Sequence, residues 1–134
     1  MDIVIPSYNH VQYLPEAIES CLTQTVKPDE IIVVDDGSQD NSLEIARKYP
    51  VKVISQTNRG LASARNSGIM NSTSEYILFL DSDDKLMADA VSRIEDMIND
   101  TNADVISPSF QEFGLRNQGL ILMADPKLED FKTK

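Results

Sequence analysis

Five short apolar runs recur along the chain, and helix-like segments separate each run from the next. The runs lie at residues 2–6, 30–34, 51–55, 76–80 and 104–110. Their apolar residues are mostly consecutive rather than alternating with polar ones, which is typical of strands covered on both faces. Strands that alternate with helices form right-handed crossovers and therefore a mainly parallel sheet. The sequence predicts an α/β fold, a Rossmann-like sheet of five mainly parallel strands with helices on both faces.

The segments between the runs carry the three- and four-residue spacing of helices that bury one stripe. The first helix is predicted over residues 11–25, and Asp40 or Asn41 is predicted to cap the second. A helix is also predicted before the fourth run and another after it. The stripes of the first and last helices consist of Leu14, Ala17, Ile18, Cys21, Leu22, Ala90, Val91, Ile94, Met97 and Ile98. Because Cys21 lies on such a stripe, we expect it to be a core residue rather than a reactive thiol.

Composition and charge narrow the classes of function. The chain has 134 residues, and 41% of them are hydrophobic, enough for one domain to bury its own core. Its net charge of -10 opposes binding to nucleic acid. The single cysteine cannot form an internal disulfide, and no apolar run approaches the roughly eighteen residues of a membrane span. With no secretory leader in the sequence, we expect a cytoplasmic protein without a transmembrane segment.

Polar residues directly follow three of the predicted strands. They read PSYN after the first strand, DDGS after the second and DSDD after the fourth. In parallel α/β sheets, ligands bind outside the carboxyl ends of the strands, near the point where the winding direction switches. We therefore expect the three clusters to gather at one edge of the sheet and to form a binding site there.

Three acids, Asp81, Asp83 and Asp84, stand together although neighbouring carboxylates raise one another's pKa. A cation would neutralise them, and carboxylate oxygens suit Mg²⁺ or Mn²⁺, which commonly complete their shell with substrate phosphates. The alternative is structural: Asp83 or Asp84 caps the next helix, while Asp35 and Asp36 form an ordinary turn. A calcium loop fits poorly because its twelfth position is not Glu, and no glycine-rich dinucleotide motif follows the first strand.

Four motifs resemble the signatures of family 2 glycosyltransferases, which have the glycosyltransferase A-type fold. They are IPSYN after the first strand, VVDDGSQDNS after the second, NRGLASARNSG before the fourth and FLDSDD after it. One such motif alone would be weak, but four in this order at strand ends are a strong signal. The resemblance covers residues 2–110. It implies a nucleotide-sugar donor domain over residues 1–110, followed at 111–134 by the start of an acceptor-side region or a loosely ordered tail.

The resemblance implies roles for residues of the first two motifs. Pro6, Tyr8 and Asn9 would contact the base or ribose of the donor. Asp36 would accept a hydrogen bond from a uracil-type N–H, and Asp35 would support the turn. His10 follows the first motif, where a histidine could touch the donor, but a lone loop histidine is more often solvated.

The last two motifs carry the remaining roles. Arg65, and with less support Arg59, would face the donor. Asp83 and Asp81 would hold a divalent cation, Mn²⁺ or Mg²⁺, with Asp83 the direct ligand and Asp81 nearer the ribose. Asp84 would cap the following helix.

The family's chemistry would make this protein an enzyme that moves a sugar from a nucleotide-diphosphate donor, here a UDP-sugar, to an acceptor hydroxyl. The transfer would be metal-assisted and would invert the anomeric centre. The acceptor would be a saccharide or a lipid-linked molecule of cell-envelope polysaccharide biosynthesis, and a longer form of the protein would be peripheral to the membrane. The general base lies beyond the donor motifs; Glu112 and Asp125 occur in that part of the sequence, and neither is assigned.

Two alternative functions remain open at this stage. One is a non-catalytic module that binds a nucleotide-sugar, since the chain resembles only the donor-binding half of a longer enzyme. The other is a metal-dependent nucleotidyltransferase, which also needs acids around Mg²⁺. That class normally has a glycine-rich, basic phosphate loop after its first strand, and PSYNHVQYL contains no glycine.

Overall fold

The computed structural model describes residues 1–101 and 103–107. Its centre is a parallel sheet of β1 (Asp2–Ser7), β2 (Ile31–Asp35), β3 (Lys52–Ser55) and β4 (Ile77–Phe79). The strand order is β3-β2-β1-β4. The prediction of a mainly parallel sheet with helices packed on it is confirmed.

Helices cover both faces of the sheet. They are α1 (Leu14–Leu22), α2 (Ser42–Ala46), α3 (Leu61–Asn71) and α4 (Ala90–Thr101). Successive residues of a strand point to opposite faces, so Ile3, Ile5 and Val33 pack with α1, α2 and α4. Val4, Ile32 and Val34 pack on the other side, with Ala64 of α3. The central strands are therefore buried on both faces, which explains their unbroken apolar sequence.

The chain changes its winding direction between β3 and β4. From β1 it runs outward through β2 to β3, and α3 then carries it back across the sheet to β4 on the far side of β1. This change leaves a crevice outside the carboxyl ends of β1 and β4, where α/β sheets bind ligands. No helix in the described ranges is long and apolar enough to cross a membrane.

Cys21 is fully buried among the residues of α1 and the sheet. Burial raises the pKa of its thiol to about 12, so the thiol stays protonated at neutral pH. The prediction that Cys21 is a core residue is confirmed.

The predicted fifth strand and the predicted helix cap differ from the structure. Residues 104–107 do not form a strand, and Val105 there is 84% exposed; the rest of the predicted fifth strand, and the tail at 111–134, lie outside the described residues. The predicted capping role of Asp84 is wrong, because α4 begins only at Ala90. Asp84 instead donates its backbone N–H to Asp81 O at 3.0 Å and closes a turn. A turn and a loop therefore separate the end of β4 from the start of α4. The spacing of apolar residues in the sequence did not indicate this separation.

Helix α3 lies unusually close to β1 because a glycine faces the sheet. Gly68 is buried, and a Cβ on it would lie within 3.0 Å of Val4 Cγ2 and closer still to Cγ1. Val4 is fully buried and β-branched, so its side chain has little freedom to move away. The absence of a side chain at position 68 therefore sets the distance between helix and sheet, and with it the position of the loop that precedes α3.

We predict that Gly68→Ala destabilises the protein by about 1–3 kcal/mol, because overpacking against Val4 outweighs alanine's better helix propensity. Asn66→Ala is the matched control, since Asn66 is exposed on the same helix and should gain or lose little stability. Urea unfolding of both variants measures the difference. A Gly68→Ala variant at least as stable as the parent would contradict the close-packing explanation.

Candidate functional site

The polar loops after β1, β2 and β4 meet around one cleft at the carboxyl edge of the sheet, as predicted. The cleft has a volume of about 490 Å³. It is lined by Pro6, Ser7, Tyr8, His10, Asp36, Asn58, Gly60, Leu61, Ala64, Asp81, Ser82 and Asp83. A smaller cavity of about 320 Å³ lies at the opposite, amino edge, between the residues that lead into β2 and β3. None of the motif residues lines that smaller cavity.

Asn9 ties the first loop to the second. Its φ of 54° lies in the left-handed region, which asparagine tolerates better than most residues. In this conformation its backbone N–H donates to Ser38 Oγ at 3.0 Å, and its side-chain Oδ1 accepts from the Gln39 N–H at 2.7 Å. Asn9 is absent from the residues that line the cleft, and its side chain supports the loop that follows β2.

The loop after β2 begins with a tight turn. The Ser38 N–H donates to Asp35 Oδ2 at 3.2 Å, so Asp35 supports this turn. The other oxygen, Oδ1, is buried and has no hydrogen-bond partner among the described residues. Gly37 has a φ of 74°, and a Cβ there would lie 2.7 Å from the Asn58 backbone nitrogen. Glycine is therefore required both by the turn and by the close approach of the neighbouring loop.

Asp36 connects the end of β2 to the loop between β3 and α3. Its Oδ1 accepts hydrogen bonds from Gln56 Nε2 at 2.7 Å and the Arg59 N–H at 2.9 Å. Its Oδ2 accepts from the Gly60 N–H at 2.8 Å. Burial alone raises the pKa of Asp36, but these hydrogen bonds outweigh it and hold the pKa below its usual value. Asp36 is therefore an ionised, preoriented carboxylate at the wall of the cleft.

Gln56 orients Asp36 through a hydrogen bond and does not itself line the cleft. Its amide nitrogen also donates to Ser63 Oγ at 3.2 Å, and its Oε1 accepts from Ser67 Oγ. Both serines belong to α3, so the amide is held between the helix and the carboxylate. Gln56 lies outside the four sequence motifs and was not among the predicted site residues. The available signal was its position immediately after β3, at the same sheet edge as the three polar loops.

Arg65, on α3, pairs with Asp81 of the cleft lining. Its Nη2 donates to Asp81 Oδ1 at 2.8 Å, and its guanidinium carbon lies 5.7 Å from the centre of the Phe79 ring. Arg65 thus orients one oxygen of Asp81. Arg59 bonds Asp36 through its backbone N–H, and its positive charge also helps to lower the pKa of that carboxyl.

The acids after β4 create a negative field at the cleft. Partial desolvation raises the pKa of Asp84, and the charges of Asp83 and Asp81 raise it further. Asp81 and Asp83 line the cleft, whereas Asp84 does not. Within the described ranges, no group of three or more His, Cys, Asp or Glu side chains could hold a metal by itself. The pair fits an ion that takes one or two carboxylates and completes its shell with phosphate and water.

His10 links the first loop to the loop after β4. Its Nδ1 lies 2.6 Å from Ser82 Oγ, and its backbone N–H donates to Ser42 Oγ at 3.1 Å. The ring is half-buried at the cleft rather than solvated, because Ser82 and the edge of Tyr13 pack around it. The sequence alone could not show this, since residues 10 and 82 meet only through the pairing of β1 with β4.

The predicted site residues therefore divide into two groups. Pro6, Tyr8, Asp36, Asp81 and Asp83 line the cleft, where a ligand could touch them. The second group does not line the cleft but orients its loops or carboxylates through hydrogen bonds. It consists of Asn9, Asp35 and Arg65. The individual roles assigned to these residues from the sequence stay predictions.

Comparison with known proteins agrees with this arrangement. The chain is 37% identical over 116 residues to glycosyltransferase GlyA of Streptococcus pneumoniae serotype 4, covering 83% of this chain and 17% of GlyA. It is 33% identical over 115 residues to cholesterol galactosyltransferase of Borreliella burgdorferi, covering 82% of this chain and 32% of that protein. The chain thus spans less than half the length of these relatives.

Solved structures share the fold. TarS 1–349 of S. aureus in complex with UDP-GlcNAc matches with a TM-score of 0.70 and 31% identity, over 75% of this chain and 31% of that one. The mannosyltransferase PcManGT of Pyrobaculum calidifontis, in complex with GDP-Man and Mn²⁺, matches with a TM-score of 0.69 over 75% of this chain and 32% of that one. Its 23% identity shows the fold alone. Since the model of the family described as glycosyl transferase family 2 matches residues 2–124, the chain belongs to that family.

Proposed function

We propose that the cleft binds the nucleoside diphosphate of a UDP-sugar and that the chain is the donor-binding part of a glycosyltransferase. The observation that carries this proposal is the convergence of three strand-end loops on one cleft, with an ionised Asp36 on one wall and the acids after β4 on another. The fold match to TarS, which was solved with UDP and with UDP-GlcNAc, supports the choice of nucleotide.

Asp36 is suited to recognise the base. A carboxylate has about four acceptor positions, and three of those on Asp36 are filled by protein donors. The remaining position can accept the single N–H of uracil. Tyr8 and Pro6 line the same cleft, and the exposed ring of Tyr8 offers an apolar face to the base or ribose.

Asp83 and Asp81 would hold a divalent cation, with Asp83 as the direct ligand. Arg65 fixes one oxygen of Asp81, which leaves the other free to face a ribose hydroxyl or the cation. When bound, the cation would stabilise the negative charge that develops on the departing nucleoside diphosphate. The protein's own contribution is to hold the diphosphate against these carboxylates at a fixed distance from the base, which Asp36 anchors.

The transfer itself would be an inverting displacement by an acceptor hydroxyl, of a saccharide or a lipid-linked molecule. A general base must take the proton of that hydroxyl. Among the residues that line the cleft, the acidic side chains already have roles in holding the base and the diphosphate. We assign the general base to the acceptor-side part of the protein and to no described residue.

We predict that Asp36→Asn weakens UDP binding by about 1–3 kcal/mol, roughly ten- to hundredfold in Kd, because the amide removes the charged acceptor for the base N–H. Asp40→Asn is the matched control. Asp40 lies in the same loop as Asp36 and accepts backbone hydrogen bonds from Val11 and Ser42, but it does not line the cleft. Titration calorimetry with UDP should separate the two variants. Equal affinity in the parent and in Asp36→Asn would refute the assignment.

We further predict that Mn²⁺ and UDP bind cooperatively, each raising the affinity of the other by the same factor. Asp83→Asn keeps the shape but removes the charge, so it should abolish most of this coupling. Asp84→Asn should preserve the coupling, because Asp84 lies outside the cleft lining. The measurement is UDP affinity with Mn²⁺ and with chelator in the parent and both variants. A parent insensitive to chelation, or a reversed order of the two variants, would overturn the role of Asp83.

A further inference from the structure

Gln56 lies behind Asp36, outside the cleft lining, and touches the carboxylate with its amide. We propose that Gln56 is a positioning residue that sets the base selectivity of the site, favouring uracil over guanine by filling an acceptor position on Asp36. This inference rests on the proposed binding of a nucleoside diphosphate. It goes further by naming the residue that determines which base is accepted.

The hydrogen bonds of Asp36 are distributed unequally between its two oxygens. Oδ1 accepts from Gln56 Nε2 at 2.7 Å and from the Arg59 N–H at 2.9 Å, so both of its acceptor positions are filled. Among the residues that the structure describes, Oδ2 accepts only from the Gly60 N–H at 2.8 Å. One acceptor position is therefore open, and it belongs to Oδ2.

The two bases present different donors to such a carboxylate. The uracil edge offers one N–H between two carbonyl groups, which matches one open acceptor position. The guanine edge offers two adjacent donors, the ring N–H and the exocyclic amino group, which a carboxylate receives best with one bond to each oxygen. Because both acceptor positions of Asp36 Oδ1 are filled, the exocyclic amino group of a bound guanine would have no carboxylate oxygen to donate to. The unequal distribution thus penalises guanine and leaves uracil unaffected.

The position of Gln56 is fixed by neighbours other than Asp36. Its backbone N–H donates to Asp35 O at 2.9 Å, continuing the β2–β3 pairing. Its side-chain Oε1 accepts from Ser67 Oγ, which orients the amide so that its nitrogen points to Asp36. The ionised Asp36 can only accept, so the amide must donate to it. Removing this donor would free an acceptor position on Oδ1 while leaving the two backbone donors in place.

The test measures Kd for UDP and for GDP in the 134-residue chain, with Mn²⁺ present throughout. Gln56→Met keeps the length of the side chain and removes its hydrogen bonds. We expect the ratio of the GDP Kd to the UDP Kd to fall about tenfold, the effect of one added hydrogen bond to a charged group. Ser67→Ala is the control for a merely structural role, because it loosens the Gln56 amide without removing the donor to Asp36. Its ratio should equal that of the parent.

Gln56→Asn provides a second variant, whose shorter side chain withdraws the amide from Asp36, and it decides the question if Gln56→Met does not fold. An unchanged ratio in the folded Gln56 variants would overturn the inference, and so would an equal shift in Ser67→Ala. These outcomes are distinct from failure of the proposed function, in which the parent itself would bind no UDP. If UDP binding depends on Asp36 but the ratio of the GDP Kd to the UDP Kd does not depend on Gln56, the role of Gln56 is refuted and the proposed function stands.

Discussion

The carboxylate of Asp36 holds together the parts of the molecule from which the cleft is built. It stands at the end of β2, yet all its hydrogen-bond partners in the described part of the chain belong to the loop between β3 and α3. That loop fixes the start of α3, and α3 packs on β1 through Gly68. A buried charge is tolerated here because three hydrogen bonds replace its lost hydration. The same bonds hold the carboxylate in one orientation toward the cleft. Asp36 therefore has both a structural role and the proposed role in binding the base.

Much of the fold could be predicted because the central strands are buried on both faces. Their unbroken apolar runs identify β1 and β2, shorter apolar runs mark the edge strands β3 and β4, and the crossover rule makes all four parallel. The ends of the helices were less predictable. The first helix matches its apolar stripe, Leu14 to Leu22, but is shorter at both ends than the predicted range 11–25. Helix α4 starts after a turn that Asp84 closes. Such boundaries depend on backbone hydrogen bonds to other segments. The three- and four-residue spacing of apolar residues contains no information about these bonds.

The sequence predicted which loops form the site, but it did not predict the hydrogen bonds between their residues. The rule that ligands bind at the switch point brought PSYN, DDGS and DSDD to one edge. It could not separate residues that line the cleft from those that support it. Asn9 resembles a ligand contact in the sequence, but its amide oxygen accepts from Gln39. Gln56 carries no motif signal by itself, because its importance comes from partners on α3 and β2 that only the folded chain brings together.

The central claim, that the carboxyl-edge cleft is the nucleotide site, can be tested directly by amide chemical shifts during a UDP titration. We expect UDP to change the shifts of Tyr8, Gly60, Ser82 and Asp83, which line the cleft. We expect no change at residues around the amino-edge cavity, such as Lys27, Glu30 and Lys52. Changes centred on the amino edge, with the backbone amides of the cleft unmoved, would contradict it.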